Sequence, residues 1–234
     1  SQIYLAEKSI DPTIMMGAIL PEINSAYKIG NSSNIIFEAC EYKDTFLDLS
    51  PDVSVILNID CDHMEYFKTL DNLIASFTKF ASMSKVIIFN GDDENTIKSV
   101  QGITGKEKIT FGSDATNNYY YKNLEWVHGA FAKFTVFKDG EELGEIELNV
   151  PGEHNILNAL CAVATGMYCG ATFEQCKNSL YNFKGAGRRF EILGEYNGAV
   201  IVDDYAHHPK ELEVTLSAAM KMGYERVWAV FQPF

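Results

Sequence analysis

The sequence predicts an α/β fold: a mostly parallel, helix-covered sheet with a small antiparallel insert, followed by the start of a second α/β unit. Three observations lead there. Strand-like and helix-like runs alternate between residues 35 and 90. A stretch from about 107 to 150 switches to period two and carries turn signals. Helical periodicity then returns, and Lys184-Gly185-Ala186-Gly187 separates it from a new strand, turn, strand and helix.

Taken in order, Ile3, Leu5 and Ala6 read as a helix already under way. Ile35–Phe37 and Val53–Leu57 read as buried strands. Thr69 is placed to cap a helix whose face is Leu70, Leu73, Ile74, Phe77, Phe80 and Ala81. Val86–Phe89 is the next strand, closed by Asn90-Gly91. Strand, helix and strand at this spacing call for parallel pairing. Phe131–Phe137 and Leu143–Val150 flank Asp139-Gly140, a strong hairpin signal. The Tyr119-Tyr120-Tyr121 run belongs to sheet packing. Helices are expected over 153–169, stopped by Gly170, and over about 172–181. Beyond the linker, Phe190–Leu193 and Ala199–Val202 form strands about Asn197-Gly198, and a helix spans 209–222. Arg226–Phe231 reads as a buried strand. Such a strand needs helices on both faces, so the expectation is a fragment of a longer protein.

Net charge is 19 − 32 = −13, which argues against a general nucleic-acid binder, since phosphate backbones need clustered Lys and Arg. Five cysteines, an odd number without a C-x-x-C pair, fit reduced thiols and a cytoplasmic location. No apolar run approaches the ~18 residues of a membrane span, so no membrane insertion is expected.

Chemistry-bearing residues gather at strand ends, where open α/β sheets hold ligands. Glu38-Ala39-Cys40-Glu41 follows the strand at 35–37. Asn58-Ile59-Asp60-Cys61-Asp62-His63 follows the strand at 53–57. If those two strands are neighbours, Glu38 and His63 face one crevice, and the oxygen-rich surroundings suit Mg²⁺ or Mn²⁺. Asp60 and Asp62 serve equally well as turn caps. His154, Asn155 and Asn158 lie in the first turns of a helix, where the two amides share a face and can read a base edge or act as caps. Arg188 and Arg189 follow the linker and can clamp a phosphate or pair with Glu191. Asp203-Asp204-Tyr205-Ala206-His207-His208-Pro209 links a strand to a Pro-started helix. No G-x-x-x-x-G-K-[ST] loop occurs: Gly105-Lys106 is followed by Glu107, and Val100 stands where the first Gly belongs.

Together these segments resemble the Mur ligase family, over nearly the whole chain. The resemblance rests on Glu38-Ala39-Cys40-Glu41-Tyr42 with Phe46-Leu47, Pro51-Asp52 through His63, Gly152-x-His154-Asn155-x-x-Asn158-Ala159, Arg188-Arg189-Phe190-Glu191, Asp203 to Pro209, and Phe231-Gln232-Pro233. The last two point to the alanine-adding branch. The resemblance implies a central ATP-binding domain over 1–185, without its phosphate-loop part, and the beginning of a Rossmann-like carboxyl-terminal domain over 186–234. It implies an ATP-dependent ligase of peptidoglycan precursor synthesis. ATP would phosphorylate the lactyl carboxylate of UDP-N-acetylmuramate, and the amine of L-alanine would attack the acyl phosphate. By the family pattern Glu38 and His63 hold Mg²⁺ (or Mn²⁺). His154, Asn155 and Asn158 meet the adenine, Arg189 a terminal phosphate and Asp204 the ribose. His207 lies near the reacting centre, and Glu41 and Tyr205 contact substrate. Rival expectations are a muropeptide-recycling or folate-polyglutamating ligase of the same fold, or a non-catalytic nucleotide-binding module.

Overall fold

The structure is a computed structural model that describes Ser1, Ile3 and residues 10–232. Leu5 and Ala6 of the expected first helix lie outside the described residues. Ile3 is buried in the core, its Cδ1 beside Gly166.

A six-stranded sheet forms the centre. Its strands are β4 (Val53–Ile56), β5 (Val86–Asn90), β6 (Glu107–Phe111), β7 (Tyr119–Val127), β8 (Phe131–Lys138) and β9 (Glu141–Pro151), in that spatial order. β4 to β7 run parallel, with Val53 opposite Val86 and Ile88 opposite Ile109. β7, β8 and β9 are antiparallel. The antiparallel strands therefore extend the parallel sheet through the Phe111–Tyr119 pairing and do not stand apart as a module.

Every residue of β5 is buried, and its alternation sorts the core into two. Val86 and Ile88 face the cluster beneath α4 (His154–Tyr168) and α5 (Phe173–Asn182), with Phe111, Phe134, Ile146 and Leu160. Ile87 and Phe89 face the cluster under α1 (Met64–Phe67), α2 (Leu70–Met83) and α3 (Glu94–Val100), with Ile56, Phe67, Leu73 and Val100. Helices on both faces explain why the parallel strands read as unbroken apolar runs. Thr69 caps α2 through Asn72 N (3.2 Å), as its position in the sequence implies. Thr172 and Gln175 close a reciprocal capping box on α5. Tyr119 and Tyr120 are buried in β7, in the packing role expected of them.

A second, three-stranded sheet has the order β2 (Ser25–Lys28), β1 (Thr13–Leu20), β3 (Ile35–Phe37). β1 pairs parallel with β3 and antiparallel with β2. Asp11 ties its loops together by accepting from the Lys28 amine, Asn31 N (2.9 Å) and Asn31 Nδ2 (2.8 Å). Those donors hold the Asp11 carboxyl down at about 2. Gly30 is obligatory there, because a Cβ would stand 2.1 Å from the Asp11 carbonyl oxygen.

This sheet corrects one expectation. The strand at 35–37 is not a buried neighbour of the strand at 53–56. It belongs to the other sheet, and Ile35 is 63% exposed. A three-residue apolar run cannot declare which sheet it joins, since pairing partners are set by distant chain.

After the linker, β10 (Glu191–Tyr196) and β11 (Ala199–Asp203) form a hairpin, and α6 (Pro209–Lys221) follows. The strand expected at 226–231 is not formed. Residues 226–232 have no ladder partner among the described residues, and Trp228 and Val230 are exposed. β propensity alone gives no strand without a neighbour to pair with.

Candidate active site

The loop after β4 is built from the inside out. Ile59 plugs the α2–α3 core at 2% exposure. Asn95 Nδ2 donates to the Ile59 carbonyl (2.9 Å), and Asp93, the cap of α3, accepts from Ile59 N (3.4 Å). With Ile59 fixed, Asp60, Cys61, Asp62 and His63 are presented outward at the carboxyl end of a parallel strand. Asp60 accepts from Cys61 N and Asp62 from His63 N, each at 2.7 Å. His63 adopts a left-handed backbone (φ 52°), an unusual state for a residue with a side chain.

Opposite it runs a tight 3₁₀ segment, Tyr42–Asp48, bent through left-handed Lys43 (φ 54°) and Asp44 (φ 59°). Phe46 anchors it, stacked on Phe80 and edge-on to Phe77. Asp44 is held by the hydroxyls of Tyr66 (2.7 Å) and Ser76. The bend brings Glu41 to 3.6 Å from His63 Nε2 and lays the Tyr42 ring 4.6 Å from the imidazole. Asp62 Oδ2 is 3.8 Å from the same nitrogen, and Glu65 lies 3.6 Å from Nδ1. Glu41, Asp62 and His63 each offer a ligand atom, all within 4.8 Å of one another.

Glu38, paired with His63 by the sequence, stands outside this group. Its Oε2 accepts from Gly17 N (2.9 Å) on β1, because β3 carries it away with the second sheet. Glu41 takes the place beside His63. The bend that brings it there runs through left-handed Lys43 and Asp44, with no glycine to mark it in the sequence.

The other expected residues form connected groups. Asn155 Nδ2 donates to the Pro151 carbonyl (2.8 Å), and its Oδ1 accepts from Asn158 Nδ2 (3.1 Å). The amides do share a face, as their spacing requires. His154 stays open to solvent on one flank, while its other flank is closed in near Gly152. That burial lowers its pKa, and the Asp204 carboxylate pushes it partly back up. Asp204 accepts from Phe190 N (2.8 Å) and Ala206 N (2.7 Å). Arg189 pairs with Glu211 at 3.2 Å, and Arg188 pairs with Asp203 at 3.3 Å while covering the Tyr205 ring. His207 donates Nδ1–H to the Tyr205 carbonyl (3.0 Å). Burial pushes Glu211 up, but the His207 and His208 amides and Arg189 outweigh it and hold the group below the usual carboxylate range.

The linker is left-handed at Gly185 (φ 101°), Arg188 (φ 58°) and Phe190 (φ 49°). Gly187 N donates to the Ile19 carbonyl (3.1 Å). A cavity of about 520 Å³ lies against the linker, lined by Pro21, Phe131, Pro151, Gly185, Phe190 and Ile192 among others. None of Glu41, Asp62 or His63 lines it. Among the described residues no helix is long and apolar enough to cross a membrane.

Known proteins share the sequence and the fold of this chain. Residues 21–166 match the Mur ligase middle domain, and residues 188–233 match the family's glutamate ligase domain. UDP-N-acetylmuramate–L-alanine ligase of Clostridium acetobutylicum is 42% identical over 100% of this chain and 51% of its own length. That of Caldanaerobacter subterraneus subsp. tengcongensis is 38% identical over 99% of this chain and 51% of its own. The crystal structure of UDP-N-acetylmuramate-alanine ligase MurC from Thermotoga maritima superposes with a TM-score of 0.81 at 28% identity, covering 94% of this chain and 50% of that one. The chain thus spans about half the length of the curated relatives it matches. With one family domain matched on each side of the 184–187 linker, and the carboxylate–imidazole loop inside the first of them, the chain belongs to the Mur ligase family.

Proposed function

We propose that these residues are the nucleotide- and cation-handling part of an ATP-dependent ligase that joins L-alanine to UDP-N-acetylmuramate in the cytoplasm, in peptidoglycan precursor synthesis. The observation that carries the reading is the Glu41–Asp62–His63 group at the end of β4. Two carboxylates and one imidazole, partly open to water, fit a hard divalent cation such as Mg²⁺ or Mn²⁺. When bound, the cation supplies neutralisation of phosphate and carboxylate charge. Glu41, Asp62 and His63 would hold it, and Glu38, fixed on Gly17 N, would present its carboxylate from the second sheet.

The remaining residues bind and orient. Asn155 Nδ2 holds the Pro151 carbonyl and its Oδ1 accepts from Asn158, which fixes the two amides side by side and leaves each an N–H for a base edge. Each Asp204 oxygen accepts one backbone N–H and keeps lone pairs for a ribose hydroxyl. Arg189 would exchange Glu211 for a terminal phosphate, a stronger partner. His207 and Tyr205 lie side by side, rings 5.2 Å apart, at the edge where substrate would enter. The units 1–185 and 186–234 would close about the linker at 184–188. The two family matches, which fall on either side of it, support that division.

The test is phosphate release by a full-length ligase carrying these 234 residues, given Mg-ATP, UDP-N-acetylmuramate and a panel of amino acids. Release that depends on L-alanine is expected. Tight Mg-ATP binding without release for any amino acid would favour a regulatory module or a different acceptor.

A further inference from the structure

We propose that His208 is a positioning residue that ties the loop after β11 to the loop bearing Asp62 and His63. The proposal rests on reading Glu41–Asp62–His63 as a cation site. It adds a physical coupling between that site and the segment that carries Asp204.

His208 stands at the N-cap of α6, where its Nδ1 accepts from Lys210 N (3.3 Å). A ring nitrogen that accepts carries no proton, so the proton of the neutral ring sits on Nε2. Nε2 lies 3.2 Å from the Cys61 carbonyl oxygen, 147 residues away. A carbonyl only accepts, so the cap and the long-range contact require the same tautomer and reinforce one another. The neighbouring Lys210 ammonium feels the Asp60 carboxylate, a second attraction between the start of α6 and the same loop.

The Cys61 carbonyl belongs to the peptide that feeds Asp62 and His63. His63 is left-handed, so the loop stores backbone strain, and its N–H donates to the Asp62 carboxylate. Fixing that peptide fixes the direction from which Asp62 approaches His63. At its other end the same segment is held by Asp204, which binds Phe190 N and Ala206 N and acts on His154. Residues 204–210 therefore run from the Phe190 amide, held by Asp204, to the cation loop, and His208 is the contact on the cation side.

Two variants separate this role from helix capping. His208→Asn keeps a good N-cap acceptor but is too short to reach Cys61. His208→Ala loses both. Amide hydrogen exchange would follow Tyr66 N and Phe67 N, which donate to the His63 carbonyl, and Leu212 N, which donates to the His208 carbonyl. One hydrogen bond of ordinary net strength corresponds to about fivefold in opening. Protection of Tyr66 and Phe67 should fall by about that factor in both variants, and Leu212 should loosen only in His208→Ala. Unchanged protection of Tyr66 and Phe67 in His208→Asn overturns the proposal. So does equal loosening of Leu212 and the loop in His208→Asn, which would make the loop a follower of the cap. A parallel Mn²⁺ titration of the unaltered chain keeps the two readings apart. Absence of Mn²⁺ binding would sink the cation-site reading whatever the exchange data show, and a fivefold weaker Mn²⁺ affinity in His208→Asn is the result expected if both hold.

Discussion

Phe46→Ala reaches from the core to the site in a single substitution. Phe46 is 1% exposed, stacks on Phe80 at 4.7 Å and meets Phe77 edge-on at 5.2 Å. Truncating a buried Phe costs about 3–5 kcal/mol. The two ring pairs contribute about 0.5–1.5 kcal/mol each to that loss. Phe46→Leu refills most of the volume and should therefore lose about 1–3 kcal/mol, mainly the ring contacts. The consequence is local as well as global. The segment Tyr42–Asp48 turns through Lys43 and Asp44 in left-handed states that cost about 1–2 kcal/mol per residue. Phe46 is the buried anchor that sustains them, so its removal should free Glu41 and Tyr42 from His63. Urea unfolding followed by far-ultraviolet circular dichroism gives the stability change, and Mn²⁺ affinity measured below the transition gives the site effect. A loss under about 1 kcal/mol with unchanged slope would refute the packing argument. Full Mn²⁺ affinity in a folded Phe46→Ala protein would refute the link between packing and site.

Other outcomes follow from the same physics. Thr172→Ala breaks the reciprocal cap of α5, where Thr172 Oγ1 accepts from Gln175 N at 3.2 Å, and should cost about 1 kcal/mol in a denaturant titration. Burial raises the Cys161 thiol to about 12 and the Cys176 thiol to about 11, so iodoacetamide at pH 8 should label Cys40, Cys61 and Cys169 and spare those two until the chain unfolds. Folding makes His154 harder to protonate than its ordinary 6.5, because burial outweighs Asp204. Its contribution to stability is thus intact above 6.5 and is lost as pH falls through the lower folded value. Asp204→Asn should lower the His154 midpoint further in an NMR titration, and an unmoved midpoint would separate the two residues.

Much of the central sheet was legible because burial on both faces writes continuous apolar runs, as in Val86–Phe89, and because Asp139-Gly140 and Asn197-Gly198 mark hairpins by their conformational needs. β1 and β2 were not legible. β1 spreads its buried residues between partly exposed ones, and β2 is four residues long. The apolar run at 226–231 misled because propensity speaks of a strand's surface and not of its partner. In the site, His63, Asp62 and the Asp204 segment stood out as polar groups after strands. That Glu41 and not Glu38 lies beside His63 was hidden, since it depends on which sheet takes β3 and on a bend at Lys43-Asp44 without glycine. His208 was seen only as part of a motif. Its link to Cys61 is a tertiary fact, made by the packing of α6 toward the loop after β4.

The measurement that tests the central claim most directly is Mn²⁺ binding by electron paramagnetic resonance, on the unaltered chain and on Glu41→Gln, Asp62→Asn and His63→Ala. The account predicts one site, with each substitution weakening it at least tenfold while the fold is retained, on the scale known for disturbing metal-site shells. One Mn²⁺ bound with undiminished affinity in folded His63→Ala would contradict it.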